Sequence, residues 1–314
     1  MKTLYPEISP FHTFFLETGS DHRVYVEQSG NPAGIPAIFL HGGPCSGTKP
    51  DHRRFFDPVR YHIILMDQRG CGLSEPFGEL QGNTTQDLLA DMESIRSQLR
   101  IEKWLLFGGS WGGTLALLYA QQHPQQVLAM ILRGVFLARQ ADMEWFLGNG
   151  VNRIYPERWQ VLLDNLPNLP DANILERLVE AIFGADQEAA RRAAQQWQAW
   201  SGQVALGNDY LESMESVSEP MLRQVKMELS YAIHDYFIAE NQILENCARL
   251  QSIPTIIIHG RNDLTCPAEA GWRLHQALPQ SRYVVLPNAG HIARGEEMID
   301  ALVAATDEIA RVLA

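Results

Sequence analysis

The segment Gly108-Gly109-Ser110-Trp111-Gly112 is the part of this sequence best suited to covalent chemistry. It fits G-x-S-x-G, in which a sharp strand-to-helix turn strains the serine backbone and the glycines remove Cβ atoms that would clash. The hydroxyl then stands at a helix N-terminus, where backbone N–H groups and the helix dipole favour negative charge. Serine is a weak nucleophile until a base takes its proton, and the base needs a third group to fix its tautomer. Two downstream segments supply these groups. Ile256-Ile257-Ile258-His259-Gly260-Arg261-Asn262-Asp263 places an acid just past an apolar run, and Leu286-Pro287-Asn288-Ala289-Gly290-His291 does the same with a histidine. The glycine-rich motif alone also fits a turn without chemistry. Its company makes Ser110 the expected nucleophile, Asp263 the orienting acid and His291 the base. His41-Gly42-Gly43-Pro44 adds a fourth element. Acyl transfer builds negative charge on a carbonyl oxygen, which needs two preorganised donors. The backbone N–H of Trp111 supplies one and that of Gly43 the other, since no side chain on Gly43 blocks the substrate.

These groups act together only if the elements between them bring them to one edge of a sheet. Residues 23–28 alternate polar and apolar, as an edge or half-buried antiparallel strand does. Residues 37–40, 63–66, 104–107 and 127–132 are short apolar runs that suit strands buried on both faces. Residues 84–99 read as an amphipathic helix with Thr84 or Thr85 as N-cap, and a second helix runs over 111–122. From about 138 to 247 the chain turns rich in Trp, Gln, Glu and Leu, with helical periodicity and no convincing buried strand. Strand–helix alternation resumes at 254–259, 268–278 and 283–286, and a last helix covers 296–313. The expected class is therefore α/β, a mostly parallel sheet flanked by helices. Residues 1–137 and 248–314 form its core, and residues 138–247 form an inserted helical cap, too long for a plain loop. Ser110, Asp263 and His291 then all lie at carboxyl ends of strands, where open α/β sheets place their sites. Their order along the chain is that of the α/β-hydrolase fold.

Composition narrows the alternatives. The 314 residues are 46% hydrophobic and 20% charged, with a net charge of -12. That balance argues against a nucleic-acid-binding surface, which needs a basic patch. Cys45, Cys71, Cys247 and Cys266 lack metal-ligand spacing and are too few for a disulfide framework. There is no H-E-x-x-H and no phosphate loop, so no metal or cofactor is expected. Gly70-Cys71-Gly72-Leu73-Ser74 lacks the third glycine of a dinucleotide fingerprint and reads as a turn. Without a signal-peptide pattern or a long apolar run, the expectation is a cytoplasmic protein that does not engage membranes.

Several blocks together resemble the proline iminopeptidases. They are His41–Pro44, Asp67-Gln68-Arg69-Gly70-Cys71-Gly72-Leu73-Ser74, 108–114 and Gly260-Arg261-Asn262-Asp263-Leu264-Thr265-Cys266-Pro267. Glu144-Trp145-Phe146-Leu147 and the following Arg153-Ile154-Tyr155-Pro156-Glu157-Arg158-Trp159 extend the resemblance into the insertion. It implies a metal-independent serine exopeptidase that removes N-terminal proline from small peptides through an acyl-enzyme. It also implies a small apolar pocket lined by Phe136, Phe146 and Cys266. The family recognises the substrate amine with two cap glutamates, but Ser201 and Ile233 stand at those positions here. Asp235 or Glu228, on the same expected helix, is left to substitute. Loss of both glutamates also keeps open an esterase or amidase acting on a neutral small acyl compound. A non-catalytic protein that binds a ligand under its cap is the remote alternative, opposed by the intact catalytic set.

Overall fold

The computed structural model describes residues 1–19, 21–211 and 216–313. Among them, a sheet of eight strands runs in the order β1-β2-β4-β3-β5-β6-β7-β8. The strands are β1 (His12–Glu17), β2 (Arg23–Gly30), β3 (Ile35–Leu40), β4 (Tyr61–Met66), β5 (Trp104–Ser110), β6 (Val127–Val135), β7 (Thr255–Gly260) and β8 (Arg282–Leu286). β1 and β2 pair antiparallel, as do β2 and β4, and every other pairing is parallel. β1 was not expected. Its HTFFLE sequence lacks the clean alternation of β2, yet it covers β2, which is therefore not an edge strand.

The buried runs divide their side chains between two cores, as the pleat demands. Ile38, Leu40, Ile64, Met66, Leu106, Met130, Leu132 and Ile257 face one cluster. Ala37, Phe39, Ile63, Leu65, Leu105, Phe107, Ile131 and Ile258 face the other. Helices α1 (Thr85–Gln98) and α2 (Trp111–Gln122) cover the first face. Thr84 caps α1 in a reciprocal box with Asp87, and Leu88, Met92 and Ile95 turn inward.

Between β6 and β7 lie α3 (Gln140–Leu147), α4 (Pro156–Asp164), α5 (Ile174–Phe183), α6 (Gln187–Leu206), α7 (Glu219–Ile233) and α8 (Gln242–Glu245). The described residues of 138–247 contain no strand. Much of this segment packs around its own apolar cluster, with Leu178, Ile182, Trp200, Val225 and Leu229 among its members. α7 joins both bodies: Leu222, Val225 and Leu229 enter that cluster, whereas Met227 and Tyr231 enter the main core. After β7 come α9 (Ala268–Ala277), against the first face, and α10 (Glu296–Val312), whose Met298, Leu302 and Ile309 close the second. No helix among the described residues is long and apolar enough to cross a membrane.

Candidate active site

Ser110 ends β5 and caps α2 with φ 55 and ψ -126, a conformation L-residues rarely adopt. The close approach of neighbouring backbone explains the flanking glycines. A Cβ on Gly108 would lie 2.3 Å from the Gly112 carbonyl oxygen, and one on Gly112 only 2.0 Å from that of Leu40. β5 shifts register against β6 between Gly109 and Ser110, so the serine leaves the ladder at the point where α2 begins. The N–H of Trp111 is at the first turn of α2, where no intrahelical partner exists.

Asp263 and His291 meet at the same edge, on the loops after β7 and β8. Their Oδ2 and Nδ1 are 2.8 Å apart, and the Cys266 N–H donates to Asp263 Oδ1 at 2.8 Å. Burial raises the Asp263 pKa, but the neighbouring His291 and the hydrogen bonds outweigh it and hold the carboxyl below its ordinary value. An anionic Asp263 fixes the proton of His291 on Nδ1 and leaves Nε2 free to accept. The Ser110 hydroxyl faces the Cys266 thiol at 4.0 Å, and no hydrogen bond joins it to His291. Gly134 lets β6 pass close beneath the pair: a Cβ there would be 2.9 Å from Asp263 Oδ2 and 3.2 Å from His291 Nδ1.

Two further side chains support this pair and were not anticipated from the sequence. The buried His259 sends Nε2 to the Cys266 carbonyl at 2.7 Å, and burial lowers its pKa, so it stands as a neutral donor behind Asp263. Arg133, beyond the expected end of its strand, donates to the His291 carbonyl and lies against Gly109. Its position at the carboxyl end of a buried strand was the available signal.

The opposite wall is a network through the Asp67–Ser74 block. Trp111 Nε1 donates to Gln68 Oε1 at 2.9 Å, and Gln68 Nε2 donates to the His41 carbonyl at 2.8 Å. The Gln68 N–H reaches His41 Nε2 at 3.0 Å, so the His41 proton resides on Nδ1, 2.9 Å from the Gly42 carbonyl. The chain turns at Gly70–Ser74, as expected, but the Asp67–Ser74 block also anchors the glycine loop. Asp67 accepts from Thr48 and Leu73, and Arg69 forms a buried, bidentate pair with Asp91 at 2.6 and 2.7 Å. Gly43 is exposed with φ +115, and a Cβ on it would strike Cys45 N at 2.7 Å. Gly42 lies against the serine, its added Cβ position being 3.5 Å from that of Ser110.

The expected pocket residues separate into two groups. Cys266 is buried beside Ser110, and burial together with Asp263 raises its thiol pKa well above the ordinary value. Phe136 packs edge-on against Tyr236 at 4.9 Å, and Tyr236 in turn lies 5.5 Å from the Trp111 ring. Phe146 meets Trp197 at 5.8 Å and Trp200 at 6.2 Å. Asp235 differs. It does not share a helix with Glu228, because α7 ends at Ile233 and residues 235–237 all take positive φ. Asp235 is exposed and lines a cavity of about 520 Å³ with Arg139, Glu144 and Asn173, which reaches neither Ser110 nor His291. A groove of about 690 Å³ has His291 in its wall, together with Tyr155, Arg261 and Ile292. The Ser201 hydroxyl folds back onto the Trp197 carbonyl at 2.8 Å, whereas Glu228 receives the Trp197 indole N–H at 2.7 Å.

Comparison with known proteins agrees with this architecture. Residues 36–297 match the model of the alpha/beta hydrolase fold family. Among solved structures, an alpha/beta fold family hydrolase from Bacillus anthracis str. Sterne superposes with a TM-score of 0.60 at 17% identity, covering 96% of this chain and 100% of the other. The chain is 41% identical over 311 residues to a proline iminopeptidase of Xylella fastidiosa (strain 9a5c), covering 98% of this chain and 99% of that one. It is 40% identical over 308 residues to a proline iminopeptidase of Neisseria meningitidis serogroup A, covering 98% of each. The expected fold class is thus borne out, and the chain belongs to the alpha/beta hydrolase fold family and, within it, to the proline iminopeptidases.

Proposed function

We propose that the protein is a serine exopeptidase that releases N-terminal proline, or another small residue, from short peptides through an acyl-enzyme. The Asp263–His291 pair at 2.8 Å, formed on the same sheet edge as the strained Ser110, carries this reading. Full-length similarity to proline iminopeptidases supports the substrate class.

Ser110 rotates from Cys266 toward His291 Nε2, which takes the hydroxyl proton as Oγ attacks the substrate carbonyl. Asp263 stabilises the imidazolium without itself being protonated. The N–H groups of Trp111 and Gly43 hold the oxyanion, and His291 then protonates the departing amine. Water repeats the cycle and frees proline. Because the leaving amine must be within reach of His291, the groove with that residue in its wall suits the remainder of the peptide. Phe136, Phe146 and Cys266 would enclose the pyrrolidine ring, and residues 138–247 would act as the cap over it. Asp235 has no part in this pocket as placed. A small peptide is the one partner the reading requires, and the cytoplasm is its expected location.

Ser201 and Ile233 favour a second reading, an esterase or amidase for a neutral acyl group. Proline p-nitroanilide, alanine p-nitroanilide and p-nitrophenyl acetate, each with wild type and Ser110→Ala, separate the two. Preferred turnover of the proline compound, abolished in Ser110→Ala, is expected. Turnover of the ester alone would refute the exopeptidase reading.

A further inference from the structure

Arg133 is a half-buried cation that forms no ion pair among the described residues. It follows Leu132 in β6, and the pleat puts it on the face of Ile131, toward the second core. Its Cα partner across the ladder is Gly109, and the guanidinium takes the space a side chain there would need: a Cβ on Gly109 would be 2.2 Å from Nη2. Nη1 donates to the His291 carbonyl, whereas Nε and Nη2 have no hydrogen-bond partner among the described residues. Asp263, the carboxylate within its electrostatic reach, is already engaged by His291 and the Cys266 N–H. Burial works against such a charge and lowers its pKa. A bond to a neutral carbonyl needs no cation, and the catalytic scheme gives this one no task.

Its surroundings add donors. His52, in the short helical turn Pro50–Phe55, stacks on Phe39 at 4.2 Å, and Phe39 stacks at 5.4 Å on Phe107, two residues before Gly109. Arg133 and the exposed Lys49 both lie within electrostatic range of His52. Burial, together with these cations and His41, takes the His52 pKa down to about 3, so the imidazole is neutral. Its Nδ1 accepts from the Lys49 N–H at 3.0 Å, which leaves the proton on Nε2, where it meets no partner among the described residues. Asp51, beside His52 in the chain, is paired with Arg54. In a protein of net charge -12, two cations and an N–H donor gathered without a free carboxylate suit an anion.

The place of this cluster relative to Ser110 says which anion. Phe136 and Tyr236 pack with the first core. Arg133 and His52 lie on the other face of the sheet, as do Ala289 and Met298 in the wall of the groove that contains His291. A peptide with its proline ring on the first face crosses Ser110 and sets its departing residue over the second. The amine departs at His291, and Arg133 is bonded to the carbonyl of that same residue. In a dipeptide the carboxylate carbon is only two bonds from that amine.

We propose that Arg133, with His52, binds the free carboxylate of the departing residue, so that dipeptides beginning with proline are the preferred substrates. This rests on the exopeptidase reading and extends it to the leaving side of the scissile bond.

The test compares release of proline from prolylglycine and from prolylglycinamide, which differ only in the charge of that terminus. Wild type should prefer prolylglycine by about 10- to 100-fold in kcat/KM, the range of a hydrogen bond to a charged group, mostly through KM. Arg133→Gln removes the charge, keeps an amide donor, and should bring the two values to within about threefold of each other. Arg133→Lys keeps the charge without the planar fork and should retain part of the preference. His52→Phe keeps a ring on Phe39, removes the Nε2 donor, and should lower the ratio severalfold. A disturbance of His291 falls on both peptides and cancels in the ratio, so a purely structural role would lower both rates and leave the ratio intact. Wild-type values within about twofold of each other, or an Arg133→Gln ratio within about twofold of wild type, overturn the proposal. Should Arg133→Gln not fold, an unchanged ratio in His52→Phe overturns it. If wild type frees proline from neither peptide yet hydrolyses p-nitrophenyl acetate, the exopeptidase reading itself has failed.

Discussion

Replacing Gly112 and Gly113 by alanine, one at a time, should give opposite results from adjacent positions on α2. Both glycines are buried at the start of the helix that Ser110 caps. A Cβ on Gly112 would lie 2.0 Å from the Leu40 carbonyl oxygen and 2.9 Å from that of His41. Ordinary contact between such atoms is well over 3 Å, so α2 and the end of β3 must part by about 1 Å or more. That shift separates Ser110 and Trp111 from the His41–Pro44 loop, which together form the proposed oxyanion site. A 1 Å error in a catalytic constellation costs about 10²-fold in rate. Forced overpacking costs about 1–3 kcal/mol of stability. On Gly113 the added Cβ would be 3.5 Å from the Gly108 carbonyl oxygen, an ordinary contact. Alanine there should keep near-wild-type kcat and gain up to about 1 kcal/mol from helix propensity. Steady-state kcat on p-nitrophenyl acetate and thermal melting of both variants provide the assay. If Gly112→Ala matched wild type in rate and melting temperature, the close packing of the turn against β3 would not be what positions Ser110.

Two further outcomes follow from the hydrogen bonds of the site. Asp263→Asn should preserve the fold yet lower kcat by about 10⁴-fold, because the amide can donate to His291 Nδ1 and stabilise the wrong tautomer; pre-steady-state acylation rates check this. The folded-state pKa of Asp263 is depressed, so its stabilising contribution is present above the unfolded value of about 3.9 and is lost as pH falls through the folded one. The acid limb of melting temperature against pH should accordingly flatten in that variant. Gln68→Ala leaves the Trp111 indole N–H and the His41 carbonyl without their partner. A loss of about 1–3 kcal/mol in stability, with a lower kcat on ester and anilide alike, is expected by denaturant titration and kinetics.

The buried strands, the capped helix α1 and the Ser–Asp–His order were legible because each is written in local pattern. Apolar runs such as 104–107 and 127–132 mark strands covered on both faces, and a threonine at 84 or 85 marks a helix start. β1 was not legible, since its half-exposed sequence carries no period and its position comes from pairing with β2. Asp235 and Glu228 were equivalent in sequence, two acids on one expected helix. Three left-handed residues at 235–237 end that equivalence, and nothing in their types announces them.

The division between sequence and tertiary structure follows from the range of the forces involved. Periodicity, capping and glycine placement act within a turn or a strand, so the residues themselves determined the elements, the nucleophile turn and the candidate acid and base. The 2.8 Å contact of Asp263 with His291, 28 positions apart, depends on how strands pack side by side. So does the Gln68 link between His41 and Trp111, and so does the approach of Trp197 to Glu228 across two helices. Burial is a property of the assembled fold. Only the tertiary structure decided that Asp235 lies in solvent and that Glu228 is half-buried against Trp197, because desolvation acts on a charge only after the chain has closed around it.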